Sequence, residues 1–100
     1  MTNLDKEATE NLYNEIFKII NKKGLVYNST YLNYSRIKIN SFKTLLFDLD
    51  TGALSATITN QINKETSCRN YFWAKNVFNE EIPLSEVQQL LNEIKKDEQE

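Results

Sequence analysis

The sequence predicts an α+β domain of two layers, with N-terminal and C-terminal helices on one face of a four-stranded antiparallel sheet, in the order α-β-β-β-β-α. Three observations predict it: helical spacing of apolar residues near both ends, period-two alternation between them, and polar turns that join the alternating runs as hairpins. The chain has 100 residues, 40% of them hydrophobic and 26% charged, the size and composition of one globular domain.

From Leu4 to Lys23 the residues Leu4, Ala8, Leu12, Ile16, Ile19 and Ile20 recur mostly at three- and four-residue steps, and Tyr13 and Phe17 widen the stripe. Thr2 or Asn3 is placed to cap the free amides at the start. Asp5, Glu7 and Glu10 suit the positive end of the helix dipole, and Lys22 and Lys23 before Gly24 suit the negative end.

Alternation follows, weak through Val26–Ser35 and clear in Arg36–Ile39, so a strand is expected by Tyr34. After a break at Asn40 and Ser41, Phe42–Leu49 sets Leu45, Phe47 and Leu49 on one face and Thr44, Leu46 and Asp48 on the other. Asp50-Thr51-Gly52 reads as a turn. Ala53–Ile62 then places Leu54, Ala56, Ile58 and Ile62 inward. Asn63–Thr66 is a second turn, and Ser67–Phe78 is a fourth β-rich run. Pro83, with Ser85 and Gln88 as a capping box, opens the last helix, whose inward residues are Val87, Leu90, Leu91 and Ile94. Both helix stripes read as core.

Composition excludes several functions. There is no histidine, so histidine-dependent catalysis is ruled out, and the one cysteine, Cys68, makes neither an intramolecular disulfide nor a Cys-rich zinc site. Cys68 is expected to be buried or idle. No apolar run is long enough to span a membrane, and the start MTNLDKEATEN lacks the pattern of a signal peptide, which predicts a cytoplasmic protein without membrane attachment. A net charge of −2 argues against a generic duplex-DNA binder.

The segment Leu46-Phe47-Asp48-Leu49-Asp50-Thr51-Gly52 carries the most suggestive motif. It is similar to the opening of haloacid-dehalogenase-type phosphatases, a resemblance that implies Asp48 as nucleophile and Asp50 as general acid/base. That family has Gly-Thr where this chain has Thr51-Gly52, and the residues from Ser55 onward leave no room for the rest of its fold. Leu49–Ala53 also resembles the active-site loop of retroviral-type aspartic proteases, which implies Asp50 as the catalytic residue, but the glycine-rich flaps of that family have no counterpart here. Asp48-x-Asp50-x-Gly52 lacks the further oxygen ligands of a calcium loop. A hairpin turn Asp50-Thr51-Gly52 explains the same residues, with Asp50 accepting backbone amides, Gly52 at positive φ, and Asp48 a solvent-facing strand residue.

Cationic and aromatic residues suggest a different surface. Period two puts Tyr34, Arg36 and Lys38 on one face of the first strand, and Arg69, Tyr71, Trp73 and Lys75 on one face of the fourth. Tyr71-Phe72-Trp73 is apolar on both faces, and alternation alone leaves two registers open. If both sets lie on the side away from the helices, they form a partner-binding surface. The function expected is a small non-enzymatic protein-binding module without cofactors, such as a phage or mobile-element inhibitor or modulator of a larger host complex, for example a defence nuclease. The alternative is a single-stranded nucleic-acid binder, with Arg36, Lys38, Arg69 and Lys75 on phosphates. A homodimer is compatible with the odd cysteine and an exposed sheet edge.

Overall fold

A computed structural model describes residues 3–23, 25–28 and 32–98. Thr2 and Gly24, read above as helix-end residues, lie outside them. Helix α1 (Asn3–Lys23) is followed by β1 (Leu25–Asn28), β2 (Asn33–Asn40), β3 (Lys43–Asp48), β4 (Leu54–Thr59), β5 (Thr66–Ala74), β6 (Val77–Phe78) and α2 (Leu84–Glu98). The strands form one sheet in sequence order, every neighbouring pair antiparallel. The α+β class, the flanking helices and the antiparallel meander follow the sequence pattern.

The sheet has six strands rather than four. The weak first run resolves into the hairpin β1–β2, and the long last run folds back at Lys75 and Asn76 into β5–β6, where Asn76 takes the left-handed conformation at φ 62°. Strands of two and four residues are too short to show a period of two. Ser85 lies inside α2 instead of capping it, because Pro83 ends the preceding segment and its carbonyl accepts the Glu86 N–H at 3.0 Å.

Both helices pack on one sheet face. Leu12, Tyr13, Ile16, Ile19 and Ile20 of α1 and Val87, Leu90, Leu91 and Ile94 of α2 meet Ile37, Leu45, Phe47, Leu54, Ala56, Tyr71 and Phe72, all buried. The Tyr13 ring meets Phe72 edge-on at 4.7 Å. Each of the Val, Leu, Ile and Phe side chains among them contributes about 1.5–3 kcal/mol on burial. Two ion pairs join α2 to the strands, Lys43–Glu93 at 2.9 Å and Arg69–Glu86 at 2.8 Å. Partly exposed pairs of this kind are worth about 0–1 kcal/mol each, so apolar packing rather than the ion pairs holds α2.

The β3–β4 turn is seated by the core. Gly52 has φ 82°, and the Tyr13 hydroxyl donates to its carbonyl at 2.9 Å in a buried contact. The Lys75 N–H donates to the Thr51 carbonyl at 2.9 Å, tying this turn to the one between β5 and β6. A Cβ added at Gly52 would lie 2.6 Å from the Tyr13 hydroxyl and 2.8 Å from the Lys75 nitrogen. Gly52→Ala therefore combines backbone strain with overlap against backbone, and it is expected to destabilise the protein by about 2 kcal/mol or more in urea unfolding.

Candidate binding surface

Pairing registers lay out the sheet face opposite the helices. Across β2 to β5 it reads in rows: Lys38, Thr44, Thr57 and Cys68; then Arg36, Leu46, Ser55 and Asn70; then Tyr34 beside Asp48. Arg36, Lys38, Leu46, Thr57 and Cys68 are exposed, and Tyr34 and Asp48 are half-buried. The expectation for β2 thus holds. Tyr34, Arg36 and Lys38 share a face, and it is the face the helices do not cover.

On β5 the predicted set divides. Asn70 pairs with Ser55 and Phe72 with Leu54, so Tyr71 is an extra residue in the ladder. This bulge lets consecutive residues turn the same way: Tyr71 is 2% and Phe72 1% exposed. Arg69, paired with Ala56 of the core face, reaches α2, where Nε and Nη2 donate to the two Glu86 carboxylate oxygens at 2.8 and 3.1 Å. Burial pushes the Tyr71 phenol above its ordinary pKa, partly offset by the Lys43 ammonium beside it. Arg69 and Tyr71 therefore belong to the helix side and not to the open surface.

Trp73 emerges on the open side, 54% exposed. A second irregularity places it between Phe72, opposite Phe78, and Ala74, opposite Val77. Since the Phe78 ring packs against Phe72 at 5.6 Å on the core side, alternation brings Val77, 50% exposed, out near Trp73. Lys75 sits in the adjoining turn, exposed, with its N–H committed to Thr51. Of the seven residues expected at a binding surface, Tyr34, Arg36, Lys38 and Trp73 share the open face, Lys75 lies in the β5–β6 turn and lines a cleft against α1 with Tyr13 and Phe17, and Arg69 and Tyr71 do not join them. Leu46, Val77 and the Ser/Thr rows were not among those seven. Leu46 was legible as an apolar residue on the polar side of an alternating strand.

The Asp-x-Asp segment is built as a turn. The Asp48 carboxylate accepts the N–H groups of Asp50 and Thr51 at 2.8 and 3.1 Å, and the Thr51 hydroxyl accepts the Ala53 N–H at 3.2 Å. The residue that organises it is Asp48, not Asp50, which is exposed. Among the described residues, no three His, Cys, Asp or Glu side chains are grouped to hold a metal ion. Beside this turn opens a cleft of about 310 Å³. Two of its aromatic walls, Tyr13 and Phe47, are themselves buried in the core, which leaves Phe17 as the ring it presents. Cys68, expected to be buried or idle, is exposed, since its pairing with Thr57 puts it on the face that the helices leave uncovered.

The chain matches no family model, no curated protein and no solved structure. Among the described residues, no helix is long and apolar enough to cross a membrane.

The bulge makes neighbouring aromatics behave oppositely. Tyr71→Ala is expected to cost about 3–5 kcal/mol, as for a large core side chain. Trp73→Ala should cost about 1 kcal/mol or less. Urea unfolding of the two variants, each against wild type, checks both.

Proposed function

We propose that the protein is a non-enzymatic protein-binding module that engages a larger partner through the uncovered sheet face. One observation carries this reading: Trp73 stands 54% exposed on a face that the two helices leave open. A half-exposed tryptophan contributes little to the core, whereas Trp and Arg are among the residues that most often dominate binding energy. Arg36, Leu46 and the Ser/Thr rows supply the mixture of charge, apolar area and hydrogen-bonding groups that protein contacts use. Occlusion of a partner's surface, the mode of an inhibitor or modulator of a larger complex, is the mechanism this reading assigns. An origin in a phage or mobile element, with a defence nuclease as target, is the finer form of this proposal, and it rests on the small size and acidic balance of the chain alone.

Charge placement favours protein over single-stranded nucleic acid. Of the four cations expected on phosphates, Arg69 is bound to Glu86 on the helix side, and Lys75 lies in the β5–β6 turn. Arg36 and Lys38 stay on the open face, with the Asp48 carboxylate in the same array. Phosphate binding depends on accumulated positive charge, and this face accumulates little.

Affinity capture by the tagged protein from a lysate of its source cells, with and without nuclease, tests the reading. The expected result is a near-stoichiometric protein partner that survives nuclease and high salt and whose affinity falls about tenfold or more with Trp73→Ala. Material that vanishes with nuclease, or binding that Trp73→Ala leaves intact, would overturn it.

A further inference from the structure

The β4–β5 hairpin runs on past the helices. From Asn60 to Cys68 every residue is exposed, on both faces of the ribbon, so this end of the hairpin contributes no side chain to the core. Its tip is nevertheless tightly built. Asn60 Oδ1 accepts the N–H groups of Ile62 and Asn63 at 2.8 and 3.2 Å, and Asn63 Oδ1 accepts that of Glu65 at 3.0 Å. The backbone closes the same loop, with the Lys64 N–H donating to the Asn60 carbonyl at 3.0 Å and the Asn60 N–H to the Glu65 carbonyl at 2.8 Å. Lys64 adopts φ 63°, and its ammonium stands 5.7 Å from the centre of the Phe42 ring.

On this tip Ile62 is 93% exposed. Sequence alternation predicts it inward with Leu54, Ala56 and Ile58; the Asn60 turn ends the strand at Thr59 and overrides that pattern. The turn uses only the backbone N–H of Ile62, which any residue but proline supplies. An isoleucine side chain thus adds nothing to the fold here. Isolated surface isoleucines are ordinary; this one differs in standing at the end of a projecting ribbon, in a turn that side-chain and backbone hydrogen bonds close on both sides of it.

We propose that Ile62 is an anchor residue: the preformed β4–β5 tip inserts it into an apolar pocket of a protein partner, and the amides and hydroxyls around it form the polar rim. The charge at the tip selects a protein. Lys64 and Glu65 are adjacent and opposite, and no other charged residue lies between Asn60 and Cys68. A nucleic-acid arm needs accumulated cations, and a membrane-inserting tip needs a larger apolar surface with basic flanks. An apolar centre ringed by neutral polar groups is the make-up of a protein contact. Because the loop is already ordered, little conformational freedom is lost on docking. This inference rests on the protein-binding reading but uses a part of the chain separate from the Trp73 face.

The test is a photocrosslinking chain with p-benzoylphenylalanine at position 62, irradiated in a lysate of the source cells. The expected result is an adduct with one protein, mapped to a peptide from an apolar pocket. Excess unlabelled wild-type chain should suppress it, and Ile62→Ser should compete about tenfold or more weakly while melting at the wild-type temperature. Equal competition by Ile62→Ser overturns the proposal, as does an adduct confined to lipid or nucleic acid. Absence of a protein adduct alongside intact Trp73-dependent capture overturns the tip alone; absence of both overturns the binding-module reading as well.

Discussion

Both helices pack on the same side of the sheet, so only one of its faces is buried in the core, and the rest of this structure follows from that arrangement. Both apolar helix stripes are consumed by the face carrying Leu45, Phe47, Leu54, Ala56, Tyr71 and Phe72. Arg36, Lys38, Leu46, Thr57 and Cys68 are left on the side that neither helix covers. Even the Asp-x-Asp-Thr-Gly turn answers to the core, since Tyr13 of α1 donates its hydroxyl to the Gly52 carbonyl, while the Lys75 N–H donates to the Thr51 carbonyl and ties the β3–β4 connection to the β5–β6 turn.

Within that scheme one inserted residue decides which side chains face a partner. A strand without a bulge would alternate Tyr71, Phe72 and Trp73, burying either the middle ring or the outer two. The extra residue at Tyr71 resolves the conflict between an apolar run of three and a half-covered sheet: Tyr71 and Phe72 both turn into the core and Trp73 turns out. Arg69, carried to the helix side in the same strand, finds the Glu86 carboxylate there.

Much of this was legible in the residues, and the remainder was hidden for physical reasons. Val87, Leu90, Leu91 and Ile94 repeat over enough turns to define a helix and its buried stripe, and all four are buried. Tyr34, Arg36 and Lys38 alternate cleanly with Ser35 and Ile37, which are buried, so their face could be read. The β1–β2 and β5–β6 hairpins could not, because β1 and β6 are shorter than a recognisable alternating run. The bulge was equally invisible, since no local pattern marks where a ladder gains a residue. Ile62 misled for a different reason: the side-chain carbonyl of Asn60 captures two backbone amides and stops the strand before the alternation reaches it.

The two surfaces singled out share a physical character. Trp73 and Ile62 are large apolar side chains kept in water by well-ordered backbone, one beside a bulge in the sheet and the other at a turn built on two asparagines. Neither is needed to fill the core, and both are preorganised for contact. The face assignment beneath this account is tested most directly by acrylamide quenching of Trp73, the sole tryptophan. The account predicts a solvent-relaxed emission in the folded protein, quenched nearly as readily as in the urea-unfolded chain. A blue-shifted emission shielded from acrylamide would place Trp73 in the core and contradict it.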